Sequence, residues 1–367
     1  MVKRFLAMSN HARMLGGGEY SFVDFISHLP FDWKAMVAVP REGELSSRLK
    51  KKKIETYTLP TPSIRPWHLA KILASLRAYI RFCQQHRPKL IYANGTRAAL
   101  YGGIIGKLTG LPVIWHCRTL HRDKLLDPIL TILISCIIAN SHATSKRISA
   151  RNQDKTRVVY NGIDIKWLQD DRVQKTDYVK DDWSVVLIVA RISRWKRHDI
   201  VLSAFERAAL SDPNMHLICL GDEDKLELEW CNYLKKKSND SPFSDRIHWV
   251  GKAEDVRPWY RGGAVLVLGS DNEPFGRVII EAMACGVPVI AARGGGVSEI
   301  IRHKQDGYLV DFENPDMMAR AIVKVLKNSE LREDMIKSAL KRTNVFTLNE
   351  HVANMIDVFE NVIRNRV

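Results

Sequence analysis

Glu273 and Glu281 are the residues of this chain whose types and spacing best suit chemistry on a bound ligand. An apolar run at 264–268 predicts a buried strand before them, and helical spacing follows Pro274 as far as Gly286. We therefore expect Glu273 in a turn at a helix start and Glu281 inside that helix. Free N–H groups at a helix start suit a phosphate, and carboxylates accept hydrogen bonds from sugar hydroxyls. This one element could hold a ribose, a phosphate and a hexose.

Two cations follow another predicted strand, at 185–189. Arg191 and Lys196 lie in the same strand-to-helix turn. Arginine offers a fork of donors to phosphate oxygens, and lysine offers a mobile point charge. Fixed cations there would stabilise the charge that builds on a departing diphosphate. A solvated basic loop is the alternative that this spacing leaves open.

Two glycine-rich turns also follow predicted strands. Gly16, Gly17 and Gly18 precede a helical pattern, and a second triplet occupies 294–296. Glycines let backbone N–H groups approach a phosphate or a sugar closely. A flexible turn is the alternative for the first triplet, and a purely structural turn is the alternative for the second.

One histidine ends a predicted strand on the side where ligands are expected. His116 closes the strand at 113–116 and could hydrogen-bond a hydroxyl or stabilise developing charge. A structural histidine is the alternative. Arg118 and His121 follow closely as secondary candidates.

Short apolar runs alternate with longer helical patterns along the whole chain, which predicts parallel sheets wrapped by helices. Strands are predicted at 4–8, 35–39, 54–58, 90–93, 113–116, 136–139, 185–189, 216–220, 248–250, 265–268, 287–291 and 308–310. Helices are predicted at 19–29, 69–85, 98–108, 200–210, 226–236, 256–260, 276–285, 316–327, 330–342 and 348–367.

This alternation predicts two successive doubly wound, Rossmann-like domains, at 1–165 and 166–345. The last segment, 346–367, is expected to be a helix that could cross back onto the first domain. Ligands of open α/β sheets bind beyond the carboxyl ends of the strands. Two such domains facing each other across a cleft would admit the donor and the acceptor of a transferred group from opposite sides.

The charge of the chain is unevenly distributed. Its formal net charge is +15, and residues 1–165 hold 26 Lys and Arg against 10 Asp and Glu, a net +16. An anionic partner is therefore expected for the first domain alone. The densest basic run consists of Arg48, Lys50, Lys51, Lys52 and Lys53. It predicts a helix end that meets an anionic membrane surface or an anionic acceptor, with a solvated helix end as the alternative.

Cysteine spacing and hydropathy favour a cytosolic protein. The six cysteines form no C-x-x-C pair and no Cys/His cluster, which favours reduced thiols and no structural zinc. The first ten residues are too weakly apolar for a signal peptide. The longest apolar run, 129–139, is too short to span a bilayer and predicts a buried helix leading into a strand.

The stretch from Glu273 to Glu281, with its flanks, resembles the E-x(7)-E signature of retaining glycosyltransferases of family four, which have the GT-B fold. Other segments fit the order and spacing of that family, so the resemblance covers nearly the whole chain. They are Gly16-Gly-Gly-Glu19, Val159-Tyr-Asn-Gly-Ile-Asp164, Arg191 with Lys196, and Gly294-Gly-Gly-Val-Ser-Glu-Ile-Ile301.

The resemblance implies roles for the candidate residues. Arg191 and Lys196 would bind the donor diphosphate, and Glu281 would bind the ribose. Glu273 would hold the transferred sugar, so that Glu273, Lys196, Arg191 and His116 form the catalytic set. The remaining donor-binding groups would be the backbone of Phe275, Gly276 and Arg277, with Gly17 and Gly18 from the other domain.

The chain departs from the family pattern near the sugar. Ala190 and Arg197 stand where the family often has glycine, and Pro274 occupies another position that is frequently glycine. These departures concern the shape of the sugar pocket more than the reaction. The family needs no divalent metal, and the acidic cluster at 222–224 is expected to be a turn at a strand end.

The sequence thus predicts an enzyme that moves a hexose-type sugar from a nucleotide diphosphate sugar, a UDP- or GDP-sugar, without a metal. The acceptor would be a membrane-associated glycan such as lipopolysaccharide, a lipid-linked oligosaccharide or another cell-envelope polysaccharide. The enzyme would work from the cytoplasm, on the inner face of the cell membrane. A nucleotide-sugar epimerase on the same fold is the alternative enzyme. A nucleic-acid-binding protein is the non-enzymatic alternative, although interleaved aromatic residues and a compact basic motif are missing from the sequence.

Overall fold

The computed structural model describes residues 2–365 and divides the chain into two compact units. The first unit runs to Gly162 and includes the segment from Leu348 onward, and the second unit is Ile163–Thr347. Each unit is built around one parallel sheet with helices on both faces. Strands and helices are numbered in chain order.

The sheet of the first unit has seven strands in the order β3-β2-β1-β4-β5-β6-β7. Its strands are β1 Lys3–Ser9, β2 Trp33–Val39, β3 Thr56–Thr58, β4 Ile91–Asn94, β5 Val113–Cys117, β6 Cys136–Ala139 and β7 Thr156–Val158. Its helices are α1 Gly17–Ser27, α2 Glu44–Lys51, α3 Leu69–His86, α4 Thr96–Thr109, α5 Leu126–Leu133, α6 His142–Ser145 and α15 Leu348–Arg364.

Successive side chains of β1 point to opposite faces of this sheet, and each face has its own hydrophobic core. Phe5 points into a core that α1, α2 and α15 cover, and Leu6 points into a core that α3, α4 and α5 cover. Phe359 of α15 contacts Phe5 edge to face, with ring centroids 5.1 Å apart. The last helix therefore completes the core of the first unit.

The sheet of the second unit has six strands in the order β10-β9-β8-β11-β12-β13. Its strands are β8 Ser184–Val189, β9 Met215–Leu220, β10 Ile247–Gly251, β11 Val265–Leu268, β12 Val289–Ala292 and β13 Tyr308–Val310. Its helices are α7 Ile165–Leu168, α8 His198–Ala209, α9 Leu228–Asn239, α10 Arg257–Gly262, α11 Arg277–Ala284, α12 Val297–Ile300, α13 Pro315–Lys327 and α14 Ser329–Thr343.

The predicted strands all form, with small shifts at their ends. The strand predicted at 54–58 begins only at Thr56, because the N–H of Ile54 bonds to the carbonyl of Leu49 and closes α2. The strand predicted at 287–291 begins at Val289, directly after Pro288, which has no N–H to donate. Strand β7 was not predicted, because Thr156–Val158 is short and carries no apolar run.

The apolar run at 129–139 divides between α5 and β6, as predicted, but the expectation of a buried helix is wrong, because Ile129 and Ile132 on one side of α5 are 49% and 71% exposed. Within residues 2–365, no helix is both long and apolar enough to cross a membrane. The predicted C-terminal helix forms as far as Arg364, and residues 366 and 367 lie outside the described part of the chain.

Candidate functional site

Glu273 and Lys196 form a close ion pair in the second unit. Glu273 lies in the turn between β11 and α11, and Lys196 lies in the turn between β8 and α8. Because β8 and β11 are neighbouring parallel strands, their carboxyl ends bring both turns to the same edge of the sheet. The Nζ of Lys196 lies 2.6 Å from Oε2 of Glu273, and the two side chains are only 13% and 11% exposed.

The glycines at 294–296 shape the turn that holds Glu273. Gly295 has φ 53°, and a Cβ at this position would lie 2.0 Å from the carbonyl oxygen of Glu273. The N–H of Gly296 donates to the same oxygen over 2.8 Å. These contacts favour the structural turn over a ligand cradle for this triplet, because the glycines make room for protein backbone.

Two hydrogen-bond donors hold the carboxylate of Glu281, one from its own helix α11 and one from helix α10. Nε of Arg277 donates to Oε1 of Glu281 over 2.6 Å, and the hydroxyl of Tyr260 donates to Oε2 over 3.2 Å. Burial, and then the charge of Glu281, raise the pKa of Tyr260 far above its usual range. Tyr260 therefore stays a hydrogen-bond donor to the carboxylate at every ordinary pH.

The backbone around Gly276 starts helix α11. Gly276 has φ 103°, which favours glycine, and directly precedes the first helical residue, Arg277. The side chain of Phe275 is only 2% exposed and contacts the ring of Phe346 at 5.9 Å. Phe275 can therefore offer a ligand only its backbone, as the resemblance implies.

Arg191 pairs with an acidic residue of a different turn. Its Nη1 is 3.4 Å from Oδ2 of Asp224, and a third of its side chain is exposed. Asp224 lies in the turn after β9, where its N–H bonds to the carbonyl of Ile192. The structure thus gives Arg191 an acidic neighbour that the sequence analysis treated only as part of a turn.

Trp195 is a site residue that the sequence analysis missed. Its ring lies 4.0 Å from Nζ of Lys196, and its carbonyl oxygen accepts the N–H of Asp271 over 2.7 Å. This places the indole against the ammonium that contacts Glu273. The signal in the sequence was an aromatic residue directly before the candidate lysine.

His116 and Arg118 form a network in the first unit. His116 is fully buried, and its Nδ1 faces the Tyr92 hydroxyl at 2.7 Å and the Arg118 Nη2 at 3.3 Å. An arginine nitrogen can only donate, so Nδ1 accepts and the proton of the neutral ring lies on Nε2. Burial, and then the charge of Arg118, hold the pKa of His116 well below its usual range. Nε2 has no hydrogen-bond partner among residues 2–365, which makes it a buried donor.

Arg118 contacts residues from three other parts of the first unit. Nε donates to the Asn94 side chain over 2.7 Å, and Nη1 donates to the Asn161 side chain over 2.6 Å. A Cβ on Gly18 would lie 3.2 Å from Cδ of Arg118, so the glycine turn rests on the arginine stem. Arg118 was only a secondary candidate in the sequence because these contacts join residues that are far apart in the chain.

The glycine turn at 16–18 begins helix α1, whose first residue is Gly17. The N–H of Gly16 donates to the carboxylate of Glu19 over 3.1 Å, so this N–H is already engaged. A Cβ on Gly16 would meet nothing within 4 Å, whereas Gly18 faces Arg118. Gly17 and Gly18, the two residues expected to approach a diphosphate, therefore lie at a helix start, and Gly18 lies beside the side chain of Arg118.

The basic run ends helix α2, and part of its charge is compensated. Lys50 lies 3.0 Å from a carboxylate oxygen of Glu42, and Arg48 lies over the ring of Tyr20 at 4.9 Å. Hydrogen bonds from Thr58, Lys50 and Ser46 lower the pKa of Glu42 to about 2. Three lysines of the run, Lys51, Lys52 and Lys53, are exposed. His121 is also exposed and lies outside the His116 network.

No cluster of three or more His, Cys, Asp or Glu side chains with metal-binding geometry occurs within residues 2–365. The cysteines of this part of the chain are all free thiols, and burial raises the pKa of Cys83, Cys136 and Cys285.

Two family models match the chain and together cover most of it. Residues 170–342 match the model described as glycosyl transferases group 1, and residues 15–167 match the model described as glycosyltransferase family 4. The first match contains the Lys196–Glu273 pair, and the second contains the glycine turn and His116.

Two curated relatives illustrate the sequence similarity. An N-acetyl-alpha-D-glucosaminyl L-malate synthase of Bacillus anthracis is 27% identical over 65% of this chain and 60% of its own. The lipopolysaccharide core biosynthesis glycosyltransferase LpsE of Rhizobium meliloti is 29% identical over 54% of this chain and 55% of its own. Across the leading curated relatives, the matches span from 38% to 66% of the relative's length.

A solved structure has the same fold. HepE of Anabaena, crystallised in complex with UDP and glucose, superposes with a TM-score of 0.84 at 22% identity. The likeness covers 97% of this chain and 99% of HepE. It confirms the predicted fold of two Rossmann-like, doubly wound domains.

Proposed function

Because the chain belongs to glycosyltransferase family four and has the GT-B fold, we propose that it transfers a hexose-type sugar from a nucleotide diphosphate sugar to a glycan acceptor. The proposal includes retention of the anomeric configuration and independence of divalent metal. The acceptor class is lipopolysaccharide, a lipid-linked oligosaccharide or another cell-envelope polysaccharide, reached from the cytoplasmic side of a membrane. The relative named for lipopolysaccharide core biosynthesis and the UDP bound by HepE support this choice of acceptor and donor.

The observation that carries the proposal is the ion pair between Lys196 and Glu273 at the carboxyl edge of the second sheet. An ammonium group has three N–H donors, and this pair uses one of them. The others can bind the oxygens of a diphosphate while Glu273 keeps an oxygen for a sugar hydroxyl. Glu281, fixed by Arg277 and Tyr260, is proposed to accept hydrogen bonds from the ribose.

Transfer on this plan breaks the bond between the anomeric carbon and the diphosphate oxygen and forms a bond to the acceptor oxygen on the same face. The acceptor proton passes to the leaving phosphate. Lys196 and Arg191 stabilise the charge on the departing diphosphate, with the N–H groups of Gly17 and Gly18 as further donors. Because His116 is neutral with its proton on Nε2, its proposed role is that of a hydrogen-bond donor and not of a general base; this buried nitrogen reaches a sugar only if donor binding opens the packing around it.

A product analysis tests the proposal against its rivals. The purified protein is incubated with UDP- and GDP-sugars, with and without a lipid-linked glycan fraction and with a chelator. We expect acceptor-dependent release of nucleoside diphosphate that the chelator leaves unchanged, and a product with the anomeric configuration of the donor. Isomerised nucleotide sugar without acceptor would identify an epimerase. Salt-sensitive RNA binding without nucleotide-sugar binding would identify a nucleic-acid-binding protein.

A further inference from the structure

The first unit exposes large apolar side chains at the start of helix α3. Ile64, Trp67, Leu69 and Leu73 are 55%, 72%, 61% and 45% exposed, and we call them the Trp67 surface. Clusters of exposed large apolar residues on one short segment mark contact sites more often than scattered single residues do. Helix α3 buries its other face, through Tyr79 among others, and among residues 2–365 its exposed large apolar side chains are Leu69 and Leu73, both in its first two turns.

The segment that carries this surface is held in place by the helices beneath it. The hydroxyl of Tyr79 donates to the carbonyl of Leu59 over 3.0 Å, and that of Tyr101 donates to the carbonyl of Pro62 over 2.9 Å. Both tyrosines are buried. The apolar side chains therefore project from an anchored segment and not from a free loop.

The chain around the Trp67 surface has no acidic residue. Between Glu55 and Asp123 the sequence contains no Asp or Glu and ten Lys and Arg. Arg65, Lys71 and Arg77 lie beside the apolar residues and are exposed, and the guanidinium of Arg65 lies over the ring of Trp67 at 5.4 Å. Exposed apolar side chains flanked along the chain by cations and by no acidic residue match a bilayer with anionic headgroups.

We infer that the Trp67 surface binds an anionic lipid bilayer. This inference deepens the proposed function and rests on it for the claim that the acceptor is membrane-bound. Transfer of exposed leucine and isoleucine side chains from water to the acyl region of a bilayer lowers the free energy, whereas binding to an RNA gives these side chains no such transfer. In a two-fold dimer the Trp67 surfaces of two copies would face each other. Their arginines and lysines would repel, which disfavours a dimer through this surface.

The position of this surface in the fold agrees with delivery of an acceptor. Strand β3 ends at Thr58, which pairs with Val39 at the end of β2, so the following segment starts at the carboxyl edge of the sheet. His116 and the glycine turn of α1 lie at that same edge. A bilayer on the Trp67 surface therefore lies on the side where the candidate site residues of this unit are.

The basic run at Lys51, Lys52 and Lys53 lies elsewhere on the unit. The run precedes β3. The first residue of β3, Thr56, pairs with Val37 within β2, so the run lies toward the amino edge of the sheet. Helix α2 packs into the core on the opposite face of the sheet from α3. One flat bilayer cannot contact both surfaces, and the two therefore make opposite predictions.

Co-sedimentation of the full chain with phosphatidylcholine vesicles, with and without phosphatidylglycerol, distinguishes them. We expect binding that needs the anionic lipid and that falls more than ~tenfold in Trp67→Ser/Leu69→Ser, since two apolar side chains leave the bilayer. Lys51→Gln/Lys52→Gln/Lys53→Gln should bind within about twofold of the wild type, as it neutralises charge outside the contact. The matched control is Leu210→Ser/Leu226→Ser, which changes two exposed leucines of the second unit and should have no effect.

Unchanged binding by Trp67→Ser/Leu69→Ser, loss of binding in the lysine variant, or equal loss in the control would overturn the inference. So would concentration-dependent dimerisation that the Trp67 variant abolishes, or RNA binding by a wild type that ignores vesicles. Nucleotide-sugar binding by the Trp67 variant is measured in parallel by calorimetry and should be unchanged. If the wild type binds vesicles but no nucleotide sugar, the proposed function is wrong, whereas the inference that the Trp67 surface binds a bilayer is supported.

Discussion

The ammonium of Lys196 and the carboxylate of Glu273 lie 2.6 Å apart although 77 residues separate them in the chain. Neighbouring strands β8 and β11 bring the two turns together, and glycines at 295 and 296 fix the backbone of the second turn. Each side chain is nearly buried, so without a ligand each charge is compensated mainly by the other.

Substitution of either member of this pair should abolish transfer. We expect Lys196→Ala and Glu273→Ala to lower kcat/KM by ~100-fold or more, because each removes a group proposed to contact the diphosphate or the sugar. The free energy of unfolding should fall by about 1–3 kcal/mol, which leaves the protein folded. Steady-state kinetics and thermal melts check both. Lys237→Ala, which removes a lysine bonded to Ser203 away from the site, is the control, and near-wild-type turnover in either site variant would falsify the assignment.

Glu281 should affect donor affinity more than turnover. Glu281→Gln keeps the size of the side chain but loses the charge that Arg277 contacts over 2.6 Å. We expect nucleoside diphosphate binding to weaken by ~tenfold, since a charged acceptor to the ribose is replaced by a neutral one. Titration calorimetry with UDP and GDP measures this. Tyr260→Phe, which leaves the carboxylate in place, should weaken binding less, and equal affinities for Glu281→Gln and the wild type would exclude the ribose role.

Gly295→Ala should destabilise the site and the second unit together. A Cβ there would lie 2.0 Å from the carbonyl oxygen of Glu273, and the φ of 53° disfavours side chains. We expect a loss of about 2 kcal/mol or more of unfolding free energy and a loss of activity. The control is Gly16→Ala, since Gly16 has an extended backbone and open space around it. A thermal melt of Gly295→Ala that matched the wild type would show that the turn tolerates a side chain.

Stability should fall in mild acid because of one buried histidine, His198, and one half-buried histidine, His216, in the second unit. Burial, with His248 and Arg246 nearby, lowers the pKa of His216 to about 4, and burial lowers the pKa of His198 to about 3. The unfolded chain binds these protons near pH 6.5, so stability is complete above that pH and is lost as the pH falls toward 4. Melting temperatures from pH 8 to pH 4 should show this decline.

His216→Gln isolates the contribution of one ring. His216 stacks on Trp183 at 3.8 Å and bonds to His248 over 3.0 Å. The variant should be less stable than the wild type at pH 8, but its melting temperature should fall less steeply between pH 6.5 and pH 4. Parallel curves for the two proteins across that window would mean that His216 does not contribute.

Much of the fold could be predicted from the sequence because parallel strands buried on both faces are short apolar runs, as at Val265–Leu268. Glu273, Lys196 and His116 could be singled out because each follows such a run, where ligands of open sheets bind. Strand β7 escaped because its three residues lie at the sheet edge and need no apolar run.

Contacts between distant residues could not be predicted in this way. The contacts of Arg118 with Asn94, His116 and Asn161 depend on three strand ends meeting, and no local pattern encodes them. The same holds for the pairing of Arg191 with Asp224. The Trp67 surface was hidden for another reason, because periodicity alone does not reveal which turns of α3 lack a partner.

A thermal-shift panel of UDP-, GDP- and ADP-sugars tests the central claim most directly. A donor that binds only the native state raises the melting temperature by an amount that grows with its affinity and its concentration. The Lys196–Glu273 site predicts a rise with a nucleotide diphosphate sugar for the wild type, and little or none for Lys196→Ala. No shift with any nucleotide sugar, or an equal shift in the variant, would contradict it.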